Sequence, residues 1–236
     1  EAREARFANP EQSVTFWAMK TGNMVFLDQA EFNGGVSFAN ADIGGRLSAI
    51  DARFTNPTQT VNLEGVKTAD TIMFRNTQFA GPVFLNYATI LDLFVEAREG
   101  ETLSFPQLDL SYTVIRRELR LRNVALLRWQ ATRLHVEGPT RLSNLTITET
   151  ADLDHASFLN LSLGQVSWPA ARDQFRLGGM TYQDIAVSAD DAGSFDWTAL
   201  LDLANKSAYS VQTYANLEAF LQQQGYSDLA DAVFTA

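Results

Sequence analysis

Two histidines, two pairs of aspartates and one run of arginines are the residues of this 236-residue chain whose types and spacing could do chemistry. His135 and His155 stand 20 apart and have Asp152 and Asp154 nearby, so one coil of a repeating fold could stack them into a cation site. Asp152 with Asp154 and Asp190 with Asp191 are carboxylate pairs of the kind that acts as acid and base on a glycosidic bond. Arg116, Arg117, Arg120, Arg122, Arg128 and Arg133 set six guanidiniums against Glu118. Arg120 and Arg122 alternate onto one strand face, which makes a basic patch able to hold a phosphate, an acidic partner or the acidic tail of the same chain. The plainer use of such arginines is to lay their stems over apolar coil edges. No Gly-x-Gly-x-x-Gly, P-loop or Gly-x-Ser-x-Gly occurs, so nucleotide binding and serine-hydrolase chemistry have no support. With no cysteine there is no disulfide scaffold, thiol nucleophile or thiolate metal site.

Whatever these groups do depends on the elements that carry them, and the chain is dominated by a repeat. From about Val25 to Val166 a large apolar residue follows another small or apolar one by two positions, as in Ala30/Phe32, Ala41/Ile43, Ala52/Phe54, Ala88/Ile90, Leu119/Leu121 and Ala156/Phe158. Successive large residues stand 5 or 6 apart: positions 27, 32, 38 and 43 recur in spacing at 74, 79, 85 and 90. A helix would repeat at 3, 4 and 7, and an antiparallel strand would alternate without a skip. A period of five instead predicts a chain that turns a corner after each short inward-facing pair. Four corners close a coil of about 20 to 22 residues, which makes a quasi-one-dimensional solenoid. In this phase His135 directly precedes the inward Val136 whereas His155 follows Leu153 by two, so the histidines should not share a ladder and no metal site is expected.

The runs Ala30-Glu31-Phe32-Asn33-Gly34, Ala41-Asp42-Ile43-Gly44-Gly45 and Ala156-Ser157-Phe158-Leu159-Asn160 resemble the repeating unit of the pentapeptide-repeat proteins. That resemblance implies a right-handed quadrilateral β-helix. The pattern departs from the family in spending 11 residues on two faces and in longer excursions at 55–59 and 96–101. The expected organisation is a lead-in over 1–14, a mainly β solenoid of about seven coils over 15–176, and an α-helical cap over 177–236. Many of the 16 phenylalanines fall at central positions, where rings can stack from coil to coil.

In the last segment Trp197, Leu200, Leu201 and Ala204 lie on one face of a helix. A second helix is expected from Ser210 as N-cap to Gly225, burying Tyr214, Leu217 and Leu221, and a third from Ser227. The second and third resemble a tetratricopeptide-type hairpin. The last helix reaches Ala236 without a stop signal, so more chain is expected to follow. The family resemblance implies that a membrane segment sometimes does, which would make this stretch the extracytoplasmic part of a membrane-associated protein. The strand edges at the ends of a solenoid also leave an end-to-end dimer open as an arrangement.

Function follows from charge. The composition, 46% hydrophobic and 19% charged, is that of a folded globular chain, and its net charge of −10 disfavours nucleic acid as a partner. Residues 1–176 contain 20 acidic and 17 basic side chains, whereas 177–236 contain 8 and 1. The acidity therefore belongs to the cap and the solenoid is nearly neutral. Some pentapeptide-repeat proteins mimic DNA towards a topoisomerase, and that reading needs an acidic rod. A polysaccharide-active enzyme needs a carboxylate-lined wall. The expectation is a non-catalytic scaffold for a protein partner, with no cofactor and the arginine run as its binding patch.

Overall fold

The computed structural model describes residues 2–188 and 197–234, which form a parallel β-solenoid followed by three helices. One wall, here wall 1, stacks Val14, Val36, Val61, Val83, Leu108, Trp129, Ala151 and Phe175 in register, eight rungs separated by 22, 25, 22, 25, 21, 22 and 24 residues. Wall 2 stacks Thr21, Ile43 and Thr68, then Ile90, Ile115, Val136, Phe158 and Tyr182. Wall 3 stacks Val25, Leu47, Ile72, Leu93, Leu119, Thr140, Leu161 and Ile185. Wall 4 begins with Phe7, Phe32, Phe54 and Phe79. The eighth rung corrects the expectation of about seven coils. Arg6–Phe7, read as lead-in, already pairs with the next coil, and Thr181–Ser188 pairs beyond residue 176. The period was hidden at the second place by the irregular corner around the 3-10 turn Arg172–Gln174.

Corners explain the small-then-large apolar pairs. At Phe38-Ala39-Asn40-Ala41 the Ala41 N–H donates to the Phe38 carbonyl at 2.9 Å, and Asn40 has φ 57°. This is a turn with its third residue left-handed. The same conformation recurs at Ala18, Asn40, Gly65, Tyr87, Tyr112, Arg133, His155 and Gly179, one per coil, and a second column follows Glu4, Gln29, Asp51, Asn76, Asn123, Asn144 and Gln165. The residue after the turn enters the interior close to the corner and is usually small; the one two positions later reaches the middle of the next wall. A polar side chain two residues before the second turn position often accepts its N–H, as Ser37, Asn62, Asp109 and Asp152 do.

Where coils are of equal length the ladder runs round a corner without interruption. Val114–Gln130 and His135–Asp152 are strands of 17 and 18 residues that pair 21 apart over most of their length. This modifies the expectation of short strand pairs, which holds only in the first half. There the strands of walls 1 and 2 are two residues long and coils of 22 and 25 alternate; the excursion at 96–101 lengthens the coil from Val83 to Leu108, and long corners form at Asn9-Pro10 and again at Asn56-Pro57. Each is folded by an asparagine carbonyl oxygen accepting the N–H two residues on, at 3.0 Å. The intervening corners are short and need glycine. A Cβ on Gly34 would lie 1.9 Å from the Gln12 carbonyl oxygen, and one on Gly81 would lie 1.9 Å from that of Gln59. The motif Phe-x-Asn-Pro-x-Gln-x-Val, at 7–14 and 54–61, is therefore a two-coil repeat laid over the single-coil one.

The interior is one apolar column. Phe7, Phe32, Phe54 and Phe79 stack at 4.7, 5.1 and 5.2 Å between ring centres with planes within 6°, as their spacing predicted. Its helical end is closed by α1 (Trp197–Lys206), α2 (Val211–Gln223) and α3 (Ser227–Phe234). The carbonyls of Phe175, Leu177 and Met180 on the last coil accept from the Ala208 N–H, the Thr213 hydroxyl and the Asn216 amide at 2.6, 3.1 and 2.7 Å. An open strand edge is thereby consumed. Tyr182 packs edge-on to Phe220 at 5.0 Å, and burial pushes its phenol pKa upward. Ser210 occupies the N-cap position of α2 but its side chain makes no capping bond. Gly225, with φ 83°, ends α2 as expected: its N–H reaches Gln222 and the Tyr226 N–H reaches Leu221. Among the described residues no helix is long and apolar enough to cross a membrane.

Two substitutions test this account. Gly81→Ala should destabilise the chain by about 1–3 kcal/mol in chemical denaturation, whereas Gly22→Ala, with nothing within 4 Å of the added methyl, should stay within about 0.5 kcal/mol. Thr140 sits inward between Leu119 and Leu161, with a buried hydroxyl that has no hydrogen-bond partner among the described residues. Thr140→Val should raise stability by roughly 1 kcal/mol; a loss would mean that the hydroxyl is satisfied.

Candidate functional site

Four of the six arginines singled out in sequence, Arg116, Arg117, Arg120 and Arg122, come together on or beside the outer face of wall 3. The rungs bring Thr71, Asp92 and Glu118 into one outward column, Met73, Phe94, Arg120 and Arg141 into a second, and Arg75, Glu96 and Arg122 into a third. A bulge sets Arg116 and Arg117 opposite the single residue between Ile90 and Asp92. The extra residue bends the strand at the corner, and Arg117 reaches back to the preceding coil. Its Nε donates to both Asp92 oxygens at 2.9 and 3.0 Å and its Nη2 donates to Oδ2. The Thr71 hydroxyl donates to Asp92 Oδ2 at 3.3 Å.

Glu96 is the second node. Arg75 Nη2 lies 3.4 Å from it in the coil before, and Arg120 Nη1 and Arg122 Nη2 lie 3.2 and 3.7 Å away in the coil after. Arg120 also donates to Glu118 at 2.6 Å and lies 4.6 Å over the Phe94 ring. Arg141, one coil further, donates to the same Glu118 oxygen. Burial acts to lower the Arg120 pKa, but bonds to Glu118 and Glu96 outweigh it and the pKa rises. The Arg117 pKa is raised by its hydrogen bond to Asp92 and by that carboxylate's charge. Both guanidiniums are therefore fixed cations.

Exposure separates the two signs. The Asp92 and Glu96 side chains are 1% and 2% exposed, whereas Arg117 and Arg122 are 61% and 51% exposed. The carboxylates lie beneath, and solvent meets the guanidiniums. Wall 3 thus shows a positive surface, with Arg75, Arg116, Arg117, Arg120, Arg122 and Arg141 set against Asp92, Glu96 and Glu118. Arg116 is exposed and makes no ion pair among the described residues. Arg128 and Arg133 belong elsewhere. Arg128 pairs with Glu149 at 3.8 Å beside wall 1, and Arg133 sits at a corner with its guanidinium 5.7 Å from the Tyr112 ring centre. Arg75 and Arg141 were missed in sequence because they lie outside the local run. Stepping from Arg120 by the coil length of 21 finds Arg141, and the same step back from Glu96 finds Arg75.

The other candidates part company. His135 lies on wall 2, with Nδ1 3.3 Å from the Ser157 hydroxyl and Nε2 4.0 Å from Glu137, while His155 occupies a left-handed corner. Among the described residues no three histidine, aspartate or glutamate side chains converge on a cation position. Asp152 accepts the Asp154 N–H and faces Arg176 at 3.8 Å, and Asp154 accepts the Gly178 N–H at 2.7 Å. Asp152 ends its strand and Asp154 lies in the turn, so they are corner-forming groups and not a facing acid and base. Asp190 and Asp191 lie outside the described residues. No family model, curated protein or solved structure matches this chain.

Removing the cover from Asp92 should be costly, because a buried carboxylate without its partner keeps the desolvation penalty and loses the compensation. Arg117→Ala should lower the unfolding midpoint clearly, and adding Asp92→Asn should restore much of it. Arg116→Ala should leave stability within about 0.5 kcal/mol. Equal midpoints for Arg117→Ala and Arg116→Ala would show that the Asp92 pair is not structural.

Proposed function

We propose that the chain is a non-catalytic scaffold, a stiff β-solenoid whose arginine wall docks an acidic segment of another protein. The observation that carries this reading is the layered wall, in which Asp92 and Glu96 are buried and Arg75, Arg116, Arg117, Arg122 and Arg141 are presented outward. Tied to carboxylates beneath them, several of these side chains are already ordered, so a bound acidic segment orders them at little further entropic cost. Phosphate-like and carboxylate anions both suit guanidinium forks. A protein segment is favoured over nucleic acid because the chain as a whole carries −10 and would repel a long polyanion. DNA mimicry needs the opposite sign on the rod. A polysaccharide-cleaving wall needs accessible carboxylates, and those of wall 3 are covered. Kinship with the pentapeptide-repeat proteins is supported by the Ala-x-Phe and Ala-x-Ile pairs and by the stacked corners; coils of 22 residues and long unbroken strands mark a divergent form.

The test is binding of a fluorescent polyglutamate peptide to the whole chain by anisotropy, with polylysine peptide and duplex DNA as comparisons. Polyglutamate should bind, its affinity should fall with salt, and Arg116→Glu with Arg122→Glu and Arg141→Glu should weaken it at least about tenfold. Binding unaffected by that triple change, or tighter binding of DNA, would overturn the proposal.

A further inference from the structure

A second surface lies on the helical cap, where a groove of about 450 Å³ is lined by Tyr209, Val211, Tyr214 and Ala215, with Arg172 and Glu218 among its polar residues. Tyr209 and Val211 are 74% and 70% exposed, among the most exposed large apolar residues of the described chain. Exposure here does not come from a slack loop. The connection between α1 and α2 is held on both sides of Tyr209. Ser207 bonds back to Ala204 at 2.8 Å and its carbonyl accepts from Arg172 Nε at 3.3 Å. The Ala208 N–H is bound to Phe175 at 2.6 Å, and the Thr213 hydroxyl to Leu177 at 3.1 Å. The Tyr214 hydroxyl donates to Asn205 at 3.0 Å, which fixes the ring that forms the groove floor. Two apolar side chains are therefore held outward by a fixed backbone, next to a concavity able to take a side chain.

We propose that this groove binds a basic, apolar peptide segment of a partner protein, distinct from the acidic segment assigned to wall 3. Charge complementarity selects the occupant. The described helices 197–234 carry Asp202, Glu218, Asp228 and Asp231 against Lys206 alone, so the helices that frame the groove are net negative. Glu218 lines the groove, and its Oε1 accepts one bond from Gln222 at 3.1 Å, which leaves further acceptor positions for a lysine or arginine. Arg172 is the opposing cation, and its Nε is committed to the Ser207 carbonyl. The apolar anchor fills the space against Tyr209, Val211 and Tyr214, and the neighbouring base meets Glu218.

The experiment uses the whole chain and two fluorescent synthetic peptides, one alternating leucine or tryptophan with lysine and the other with glutamate in place of every lysine. The lysine peptide should bind. Val211→Ser should weaken it at least fivefold and Glu218→Lys at least tenfold, with circular dichroism and unfolding midpoint unchanged. The Arg116, Arg122 and Arg141 charge-reversed chain should bind it as the parent does, which separates this site from wall 3. Equal binding of both peptides by that charge-reversed chain, failure of the lysine peptide to bind, or binding of the lysine peptide insensitive to Val211→Ser would overturn the proposal. So would sedimentation showing a dimer, without peptide, that Val211→Ser dissociates, because the groove would then belong to a second copy of the chain.

Discussion

The backbone of this protein depends on each corner landing on the corner of the coil before it. A left-handed residue closes the turn, and parallel hydrogen bonding continues only if the next coil places its own left-handed residue at the same height. Two such columns run along the rod. Non-glycine residues adopt this conformation at a cost in most contexts. Here Tyr87, Tyr112, Arg133 and His155 adopt it in succession, and the stacked turns, with ladders on either side, hold them there. Coil length is the variable that the corners regulate. Coils of 21 residues let pairing run round the bend, and alternating lengths of 22 and 25 break it into two-residue pieces.

The same register creates the candidate site. Residues 21 to 26 positions apart become neighbours at the inter-strand distance, so a carboxylate in one coil can meet arginines in the coils on either side. Glu96 does so with Arg75 and with Arg120 and Arg122. Such a lattice ties neighbouring coils together. Its buried acids hold coils in register, and the bases that neutralise them give wall 3 its outward sign. The bulge at Arg116 and Arg117 belongs to this arrangement, since Arg117 reaches back from it to Asp92 in the preceding coil.

At the other extreme, the helices do for the end of the rod what the next coil does along it. Three carbonyls of the last coil that lack a strand partner are met by an N–H, a hydroxyl and an amide from the segment 208–216. That docking holds the α1–α2 connection still and leaves Tyr209 and Val211 exposed on a fixed support. The acidic cap and the basic wall thus give one small chain two surfaces of opposite sign.

The solenoid and its helical end were legible from the residues alone, because each is written in a short period: five and six along the coils, three and four along the helices. The stacked phenylalanines and the stop at Gly225 were legible for the same reason, since each is a local rule. The number of coils was not, because Arg6–Phe7 and Thr181–Ser188 complete rungs whose period is broken by irregular corners. Neither was the composition of the arginine wall. Sequence grouped Arg128 and Arg133 with Arg116–Arg122 by nearness along the chain, yet a coil sends near neighbours to different walls and brings distant residues together. Arg75, Glu96 and Arg141 join the site through register, and register is a sum of coil lengths that one bulge or one long corner shifts. Local periodicity therefore determined what the molecule is, and only the stacked structure decided which charges face each other and which face the solvent.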